Sequence, residues 1–521
     1  MLACPTAPDL FDLVESARHR HRAAVDGDHQ AALGQFFTPP ATALRMAAMF
    51  RLCGPVVRVL DPGAGVGALT AALVATLAAR DVPPARIELT AVETDPVLLP
   101  ELHATLRACA DVCAERGIAC AWRVAYEDFV AQGVASLDGS LFAGGAAAQY
   151  DAVITNPPYR KVGARSAERR ALDRLGVPVT NLYAAFVAVA VRLLAPGGEL
   201  VAITPRSWCN GTYFRAFREA LLERVSLEQF HVYGSRTAAF ADDAVLTENV
   251  IYHVARRPQG PTVHVSESEG PLAPTTRAEA VPFERVVRPG DAQRFIHLSA
   301  GDAERNVADQ IASLPATLAA LGLRVSTGRV VDFRARAWLR ARPTPGAHPL
   351  VYPAHCGRGH VRWPNDGGKK ANALAGDAPA DLLVPSGYYV LTRRFSSKEE
   401  RRRVVATVFD PRHVPGEKVG FENHLNYFHA AGRSLDPAVA YGLAAYLNSE
   451  PVDRYFRQFS GHTQVNATDL RALRYPTLAS LRALGHAAGE GAPGDADRLL
   501  GAVFAGADVP GGGVHGADAA A

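Results

Sequence analysis

The stretch VVRVLDPGAGVG, residues 56–67, runs a near-continuous apolar strand into a turn with glycine at every second position. Such a run suits a strand buried on both faces, the kind found in parallel sheets. Gly63, Gly65 and Gly67 would let the backbone approach a ligand at the N-terminus of the Ala/Leu-rich helix expected over 67–80. The spacing is GxGxG rather than GxGxxG, so the loop alone does not identify that ligand.

Working outward, the pattern alternates strand and helix from about 56 to 255. IELTAVETD (87–95), CAWRVAYEDF (120–129), YDAVITN (150–156) and ELVAITP (199–205) read as further strands, and ENVIYHVAR (248–256) adds a late one. NLYAAFVAVAVRLLAPGG (181–198) reads as an amphipathic helix closed by Pro-Gly-Gly. This is the signature of an α/β, doubly wound Rossmann-like sheet. After about 257 the alternation is lost and Pro, Gly and Arg become frequent. The expected organisation is an N-terminal helical segment over 1–30, a catalytic domain over 31–256 and a connection with some strand content over 257–300. A second domain follows over 301–485, then a mobile Gly/Ala-rich tail over 486–521.

With 521 residues, 48% hydrophobic and 21% charged, the chain can fill the cores of several domains. No apolar run is long enough to span a bilayer, and the N-terminus is charged too early for a signal peptide. Seven cysteines include no CxxC pair, which argues against a disulfide framework or a zinc ribbon and for a reducing, cytoplasmic setting. Cys109, Cys113 and Cys120 cluster in a helical stretch, where they read as small buried hydrophobes; no metal is expected. The net charge of +3 says little, but residues 160–174 and 390–403 each hold six basic against two acidic side chains. Each run is either a solvated helix face or a surface for a polyanion.

The strand ends carry the chemistry. Glu93, closing the second strand, can accept both hydroxyls of a ribose, and Asp128, closing the third, can meet an adenine amino group. These features suit a nucleoside cofactor at the carboxyl ends of successive strands but do not separate a nicotinamide cofactor from S-adenosylmethionine. The fourth strand does. It ends in Asn156-Pro157-Pro158-Tyr159, where two prolines stiffen the backbone and remove two N–H donors. The Asn156 side-chain oxygen and the Pro157 carbonyl can then converge on one NH₂ group, and Tyr159 offers a flat face to a planar heterocycle. An amino group conjugated to an aromatic ring is a poor nucleophile. Two acceptors aimed at its hydrogens turn its lone pair toward an electrophile, here a sulfonium methyl, by orientation and preorganised electrostatics. The proton is lost after methylation, so no general base is needed at the attack.

In their order, GQFFTPP (34–40), DPGAGVG, the Glu93 strand end, Asp128-Phe129 and NPPY resemble the S-adenosylmethionine-dependent N6-adenine DNA methyltransferases of the γ class. The resemblance implies that Thr38 and Asp61 contact the methionine part of the cofactor, Glu93 the ribose, and Asp128 and Phe129 the adenine. It implies that Asn156, Pro157, Pro158 and Tyr159 hold the target base, with an aromatic from a later strand packing on it; Tyr252 is the candidate.

NPPY alone does not name the substrate, since similar motifs act on RNA and on protein glutamines. The second half interleaves Arg with aromatics and amides in FRARAWLRARP (333–343), HCGRGHVRWP (355–364), RRFSSKEERRR (393–403), ENHLNYFH (422–429) and RYFRQFSGHTQVNATDLRALRYP (454–476). Such residues suit phosphates and base edges. Arg160, Lys161, Arg393, Arg394, Lys398, Arg401, Arg402, Arg403, His462, Gln464 and Asn466 are the candidate DNA contacts, although Asn466 also suits a helix cap. RRFSSKEERRR, ENHLNYFH and GHTQVNATDLRALRYP are similar to the C-terminal halves of restriction–modification methyltransferases of the PstI/BsuBI type. The two likenesses together span about 30–480, and the second implies an α+β target-recognition domain. It further implies methylation of a flipped adenine at N6 in a palindromic site of about six base pairs, with CTGCAG as the expected sequence. A separate cognate endonuclease and a monomeric enzyme are expected with it. An RNA or glutamine methyltransferase, or a silent DNA-binding module, are the alternatives.

Overall fold

The computed structural model describes residues 7–24, 36–137, 149–163, 166–233, 248–298, 302–357, 359–365, 367–396, 400–459, 464–489 and 493–505. The chain divides into two compact units, Met1–Ala300 and Gly301–Ala521.

The first unit is built on a nine-stranded sheet. Its strands are β1 (Val56–Pro62), β2 (Arg86–Val92), β3 (Ala119–Ala125), β4 (Tyr150–Thr155), β5 (Leu194–Pro205), β6 (Ser226–Tyr233), β7 (Asn249–Ala255), β8 (Thr262–Ser268) and β9 (Thr275–Pro282). They lie in the order β3-β2-β1-β4-β5-β7-β6-β8-β9. The first five pair in parallel, β7 enters antiparallel between β5 and β6, and β8 pairs parallel to β6. Strand order therefore reverses between β1 and β4, where Leu60 faces Val153 in register. That reversal is the switch point at which open α/β sheets bind ligands.

The helices flanking the sheet follow from composition. Ala68–Ala78 (ALTAALVATLA) buries nine of its eleven residues, and Leu182–Ala190 buries all nine, so both are core rather than surface helices. For the second, the sequence predicts an amphipathic helix running to residue 198. Instead it stops at Ala190, and β5 already begins at Leu194. A Cβ on Gly198 would stand 2.7 Å from the Tyr150 carbonyl, so Pro-Gly-Gly forms an irregular start of β5 against β4.

The stretch 257–300, read as a connection, contributes β8 and β9 to the sheet edge. Val263 and Val265 point into the core on alternate positions of β8, which is what holds it there. Cys109 and Cys113 are buried in the helix Leu99–Glu115, as small hydrophobes.

Among its described residues the second unit holds a two-stranded pairing of 316–317 with 474–475 and two larger sheets. One is four-stranded and antiparallel, in the order 324–327, 425–429, 389–393 and 406–409. The other is five-stranded, in the order 339–340, 373–374, 348–351, 418–421 and 383–385. Tyr389, Phe409 and Tyr427 of the four-stranded sheet and Phe421 of the five-stranded one share an aromatic core. Helices Pro437–Leu447 and Leu478–Gly489 pack backbone to backbone: a Cβ on Gly485 would fall 1.7 Å from the Ala438 carbonyl. The tail expected from 486 is thus helical to Gly489, and Pro493–Phe504 forms another helix; residues 506–521 lie outside those described. Among the described residues no helix is long and apolar enough to cross a membrane.

Candidate active site

A cleft of about 980 Å³, partly open to solvent, lies over the carboxyl ends of β1 to β4. The glycine loop forms one wall. Gly63, Gly65 and Gly67 have φ of 75°, 58° and 86°, values that a side-chain-bearing residue adopts only with strain. Gly67 caps the helix Ala68–Ala78, and a Cβ there would come within 2.9 Å of Thr105.

Glu93 follows β2 and lines the cleft. Its Oε2 accepts the Gly65 N–H at 2.7 Å, and its Oε1 accepts those of Thr94 and Asp95 at 2.8 and 2.9 Å. One carboxylate thus ties the glycine loop to the second strand end. Burial pushes the Glu93 carboxyl above its ordinary range, against the pull of these three donors. Asp128 lines the cleft as well, and its Oδ1 accepts the Ala131 N–H at 2.8 Å. It therefore caps the helix Phe129–Leu137 while presenting its other oxygen. Phe129, buried beside it, packs on Phe186 at 5.1 Å between ring centroids.

Asp61 sits at the end of β1, 1% exposed and beneath the loop rather than on the cleft wall. Thr70 Oγ1 donates to its Oδ2 at 2.7 Å, while Oδ1 is buried with no hydrogen-bond partner. Burial pushes this carboxyl up to about 7. A buried carboxylate oxygen without a donor is costly, and a cationic ligand would relieve it.

Asn156 completes the arrangement. Its Nδ2 donates to the Phe36 carbonyl at 2.7 Å and to Thr38 Oγ1 at 3.1 Å. Both hydrogens of the amide are thereby used, the orientation of the group is set, and Oδ1 remains buried without a partner. Thr38 was expected among ligand contacts; it lines the cleft and also holds Asn156. Pro158 lines the cleft, Pro157 is buried behind it, and Tyr159 packs between Phe36 at 5.3 Å and Tyr183 at 6.2 Å. Arg160 reaches the rim and pairs with Glu168 at 2.8 Å, and Lys161 is exposed.

Other expected contacts lie elsewhere. Tyr252 is 0% exposed, packed against Trp208 at 5.0 Å and Phe230 at 6.1 Å, so it is a core residue and does not line the cleft. In the second unit, Arg393 donates to the Cys356 carbonyl at 2.6 Å and Arg394 to that of Asn423 at 2.7 Å. Arg402 donates to Asn448 O. Arg403 is fully buried and donates to Ser396 O, which removes it from any DNA-facing surface. Irregular segments leave carbonyls unpaired, and guanidinium groups fill them. Arg401 alone of these is exposed. Gln464 is half-buried, bridging to Phe395 through the backbone. Asn466 caps the helix Ala467–Ala472, its N–H donating to Asp469 at 2.9 Å. Lys398 and His462 lie outside the described residues.

Sequence reading missed the apolar walls supplied by Phe36, Phe37, Leu182 and Phe186. The pair Phe36-Phe37 stood inside GQFFTPP. Leu182 and Phe186 carried no signal beyond their spacing on one helix face.

Comparison with known proteins agrees with this geometry. Residues 119–240 match the family Eco57I restriction-modification methylase. Over 473 residues the chain is 41% identical to type II methyltransferase M.PstI of Providencia stuartii, covering 90% of this chain and 92% of that protein. It is 41% identical over 463 residues to type II methyltransferase M.BsuBI of Bacillus subtilis, covering 88% and 90%. The solved structure of the type IIL restriction-modification enzyme MmeI shares the fold. Its TM-score is 0.51 at 11% identity, over 96% of this chain and 73% of that one. With a glycine loop and an NPPY turn on adjacent strands and this identity along nine-tenths of its length, the chain belongs to the type II restriction–modification methyltransferase family.

Proposed function

We propose that this chain is a site-specific DNA methyltransferase that moves the methyl group of S-adenosylmethionine to N6 of an adenine flipped out of a short duplex site. The observation that carries this reading is the Asn156 amide: its nitrogen is held by Phe36 O and Thr38 Oγ1, and its buried oxygen is unpartnered. An acceptor fixed in this way suits the hydrogens of an exocyclic amino group. The side chains present suit the cofactor. Glu93 suits ribose hydroxyls, Asp128 and Phe129 an adenine, and the orphaned Asp61 oxygen a methionine ammonium.

When bound, S-adenosylmethionine supplies an electrophilic methyl on a sulfonium. The chain's own contribution is positional. Asn156 Oδ1 and the Pro157 carbonyl take the two amino hydrogens, which leaves the nitrogen lone pair directed out of the base plane. Tyr159, held between Phe36 and Tyr183, gives the base a flat surface. Phe36, Phe37, Leu182 and Phe186 give the cleft apolar walls. The expected target is CTGCAG, modified to protect it from a separate endonuclease.

The direct test is expression in a methylation-free host followed by single-molecule sequencing of the plasmid. Modified adenines in one short palindrome support the proposal. No modified motif, or full modification by Asn156→Ala, overturns it.

A further inference from the structure

The arginines of 393–403 are largely spent on carbonyls inside the second unit, which leaves open where that unit presents positive charge. The segment Phe333–Arg342 (FRARAWLRAR) carries four arginines and no acidic residue in ten positions. Arg334, Arg336, Arg340 and Arg342 are all exposed, and Phe333 stands 67% exposed beside them with the Arg334 guanidinium 5.5 Å from its ring centroid.

This segment is held firmly from behind. Leu339 and Arg340 pair antiparallel with Leu374 and Ala373. Asn372, 3% exposed, donates to the Ala341 carbonyl at 2.9 Å, accepts the Asn365 N–H at 2.8 Å and accepts Trp363 Nε1 on its own carbonyl at 2.7 Å. Lys370 pairs with Asp332, the acidic residue that precedes the segment, at 2.7 Å. Asn372 thus draws a second exposed basic stretch, containing Arg362 and Lys369, alongside the first.

We infer that Arg334, Arg336, Arg340 and Arg342, with Arg362 and Lys369 beside them, are the phosphate-gripping surface of the second unit for duplex DNA. The inference rests on the reading of the chain as a DNA methyltransferase. A rigid backing with exposed cationic side chains suits a polyanion, because the backbone is ordered before binding. Arg340 Nη1 donates to the Ala337 and Leu339 carbonyls at 2.9 Å, which leaves its Nε and Nη2 donors for a phosphate. Phe333, an exposed aromatic at the head of this surface, lies against the duplex.

The test measures binding of the full chain to a fluorescein-labelled duplex carrying CTGCAG, by anisotropy across a salt series. Changing Arg334, Arg336, Arg340 and Arg342 together to Ala should flatten the slope of log affinity against log salt by about 3 to 4, near 0.9 per lost contact. Cofactor affinity and thermal midpoint should stay unchanged. If the fourfold variant misfolds, each single variant should remove about 0.9. Benzoylphenylalanine in place of Phe333 should crosslink to the duplex on irradiation. Duplex methylation by the unmodified chain, together with an unaltered slope in the arginine variants, overturns this surface alone. If the unmodified chain neither binds nor methylates duplex DNA, the functional reading falls first and this surface with it.

Discussion

The amide nitrogen of Asn156 lies 3.1 Å from the hydroxyl of Thr38, across 118 residues of sequence. The contact ties the NPPY turn to the segment before the first sheet strand. It also decides which way round the amide sits, so that its oxygen is left for a ligand.

Replacing Asn156 by Ala should therefore lower kcat by about a hundredfold or more, the usual effect of removing one preorganised polar group. Cofactor affinity should change far less. Asn156→Asp should be at least as damaging, since it sets an oxygen against the Phe36 carbonyl. Thr38→Val should be milder, because Phe36 still orients the amide. Single-turnover methylation with cofactor titration separates these effects.

Glu93→Ala would leave three backbone N–H groups without an acceptor in a buried loop. Thermal stability should fall by about 2–3 kcal/mol, and cofactor affinity should be lost. Glu93→Gln keeps one acceptor oxygen, so it should recover part of the stability and little of the affinity. Thermal melts with and without S-adenosylmethionine check both.

Asp61 gives the site a pH signature. In the folded chain its carboxyl titrates at about 7, against 3.8 for the free side chain. Between those values the native state holds more protons than the unfolded one. The stability associated with this group is therefore complete below about pH 4 and declines as pH rises toward 7. Asp61→Asn should remove that decline, gaining on the parent in thermal midpoint as pH is raised. If the cofactor ammonium meets the orphaned oxygen, parental affinity should rise through about pH 7, and this rise should vanish in Asp61→Asn.

Arg403→Ala should destabilise the second unit by about 3 kcal/mol, because it leaves the Ser396 carbonyl and hydroxyl without their buried donor. The salt dependence of DNA binding should not change. A lowered melting temperature beside an unchanged slope distinguishes this from the loss of a phosphate contact.

Much of the catalytic half was legible because its signals are local. Strand ends, the glycine turn and the proline pair each declare themselves within a few residues, and parallel strand order brings them together. The edge strands β8 and β9 were obscured by the prolines and glycines around them, although the alternation of Val263 and Val265 was present. What could not be read were roles settled by distant partners. Tyr252 looks like any strand tyrosine until Trp208 and Phe230 close over it. Arg403 looks like surface charge until Ser396 offers it a carbonyl. Arginine makes this error easy, since its planar fork serves a carbonyl as well as a phosphate. Phe36 and Phe186 meet across one cleft from positions 150 residues apart, with no shared pattern to announce it.

The pairing of β1 with β4 has one more consequence. The glycine loop and the NPPY turn leave neighbouring rungs of a single hydrogen-bonded ladder, whose spacing is about 4.8 Å wherever sheets occur. On the proposed function, the sheet sets the scale of the gap between methyl donor and amino acceptor, and the Asn156 amide orients the acceptor within it. Both turns leave one sheet of the first unit, so on that reading a substitution in the second unit does not alter the spacing of their strands. Specificity can drift through sequence space while the chemistry stays locked to the geometry of the peptide bond.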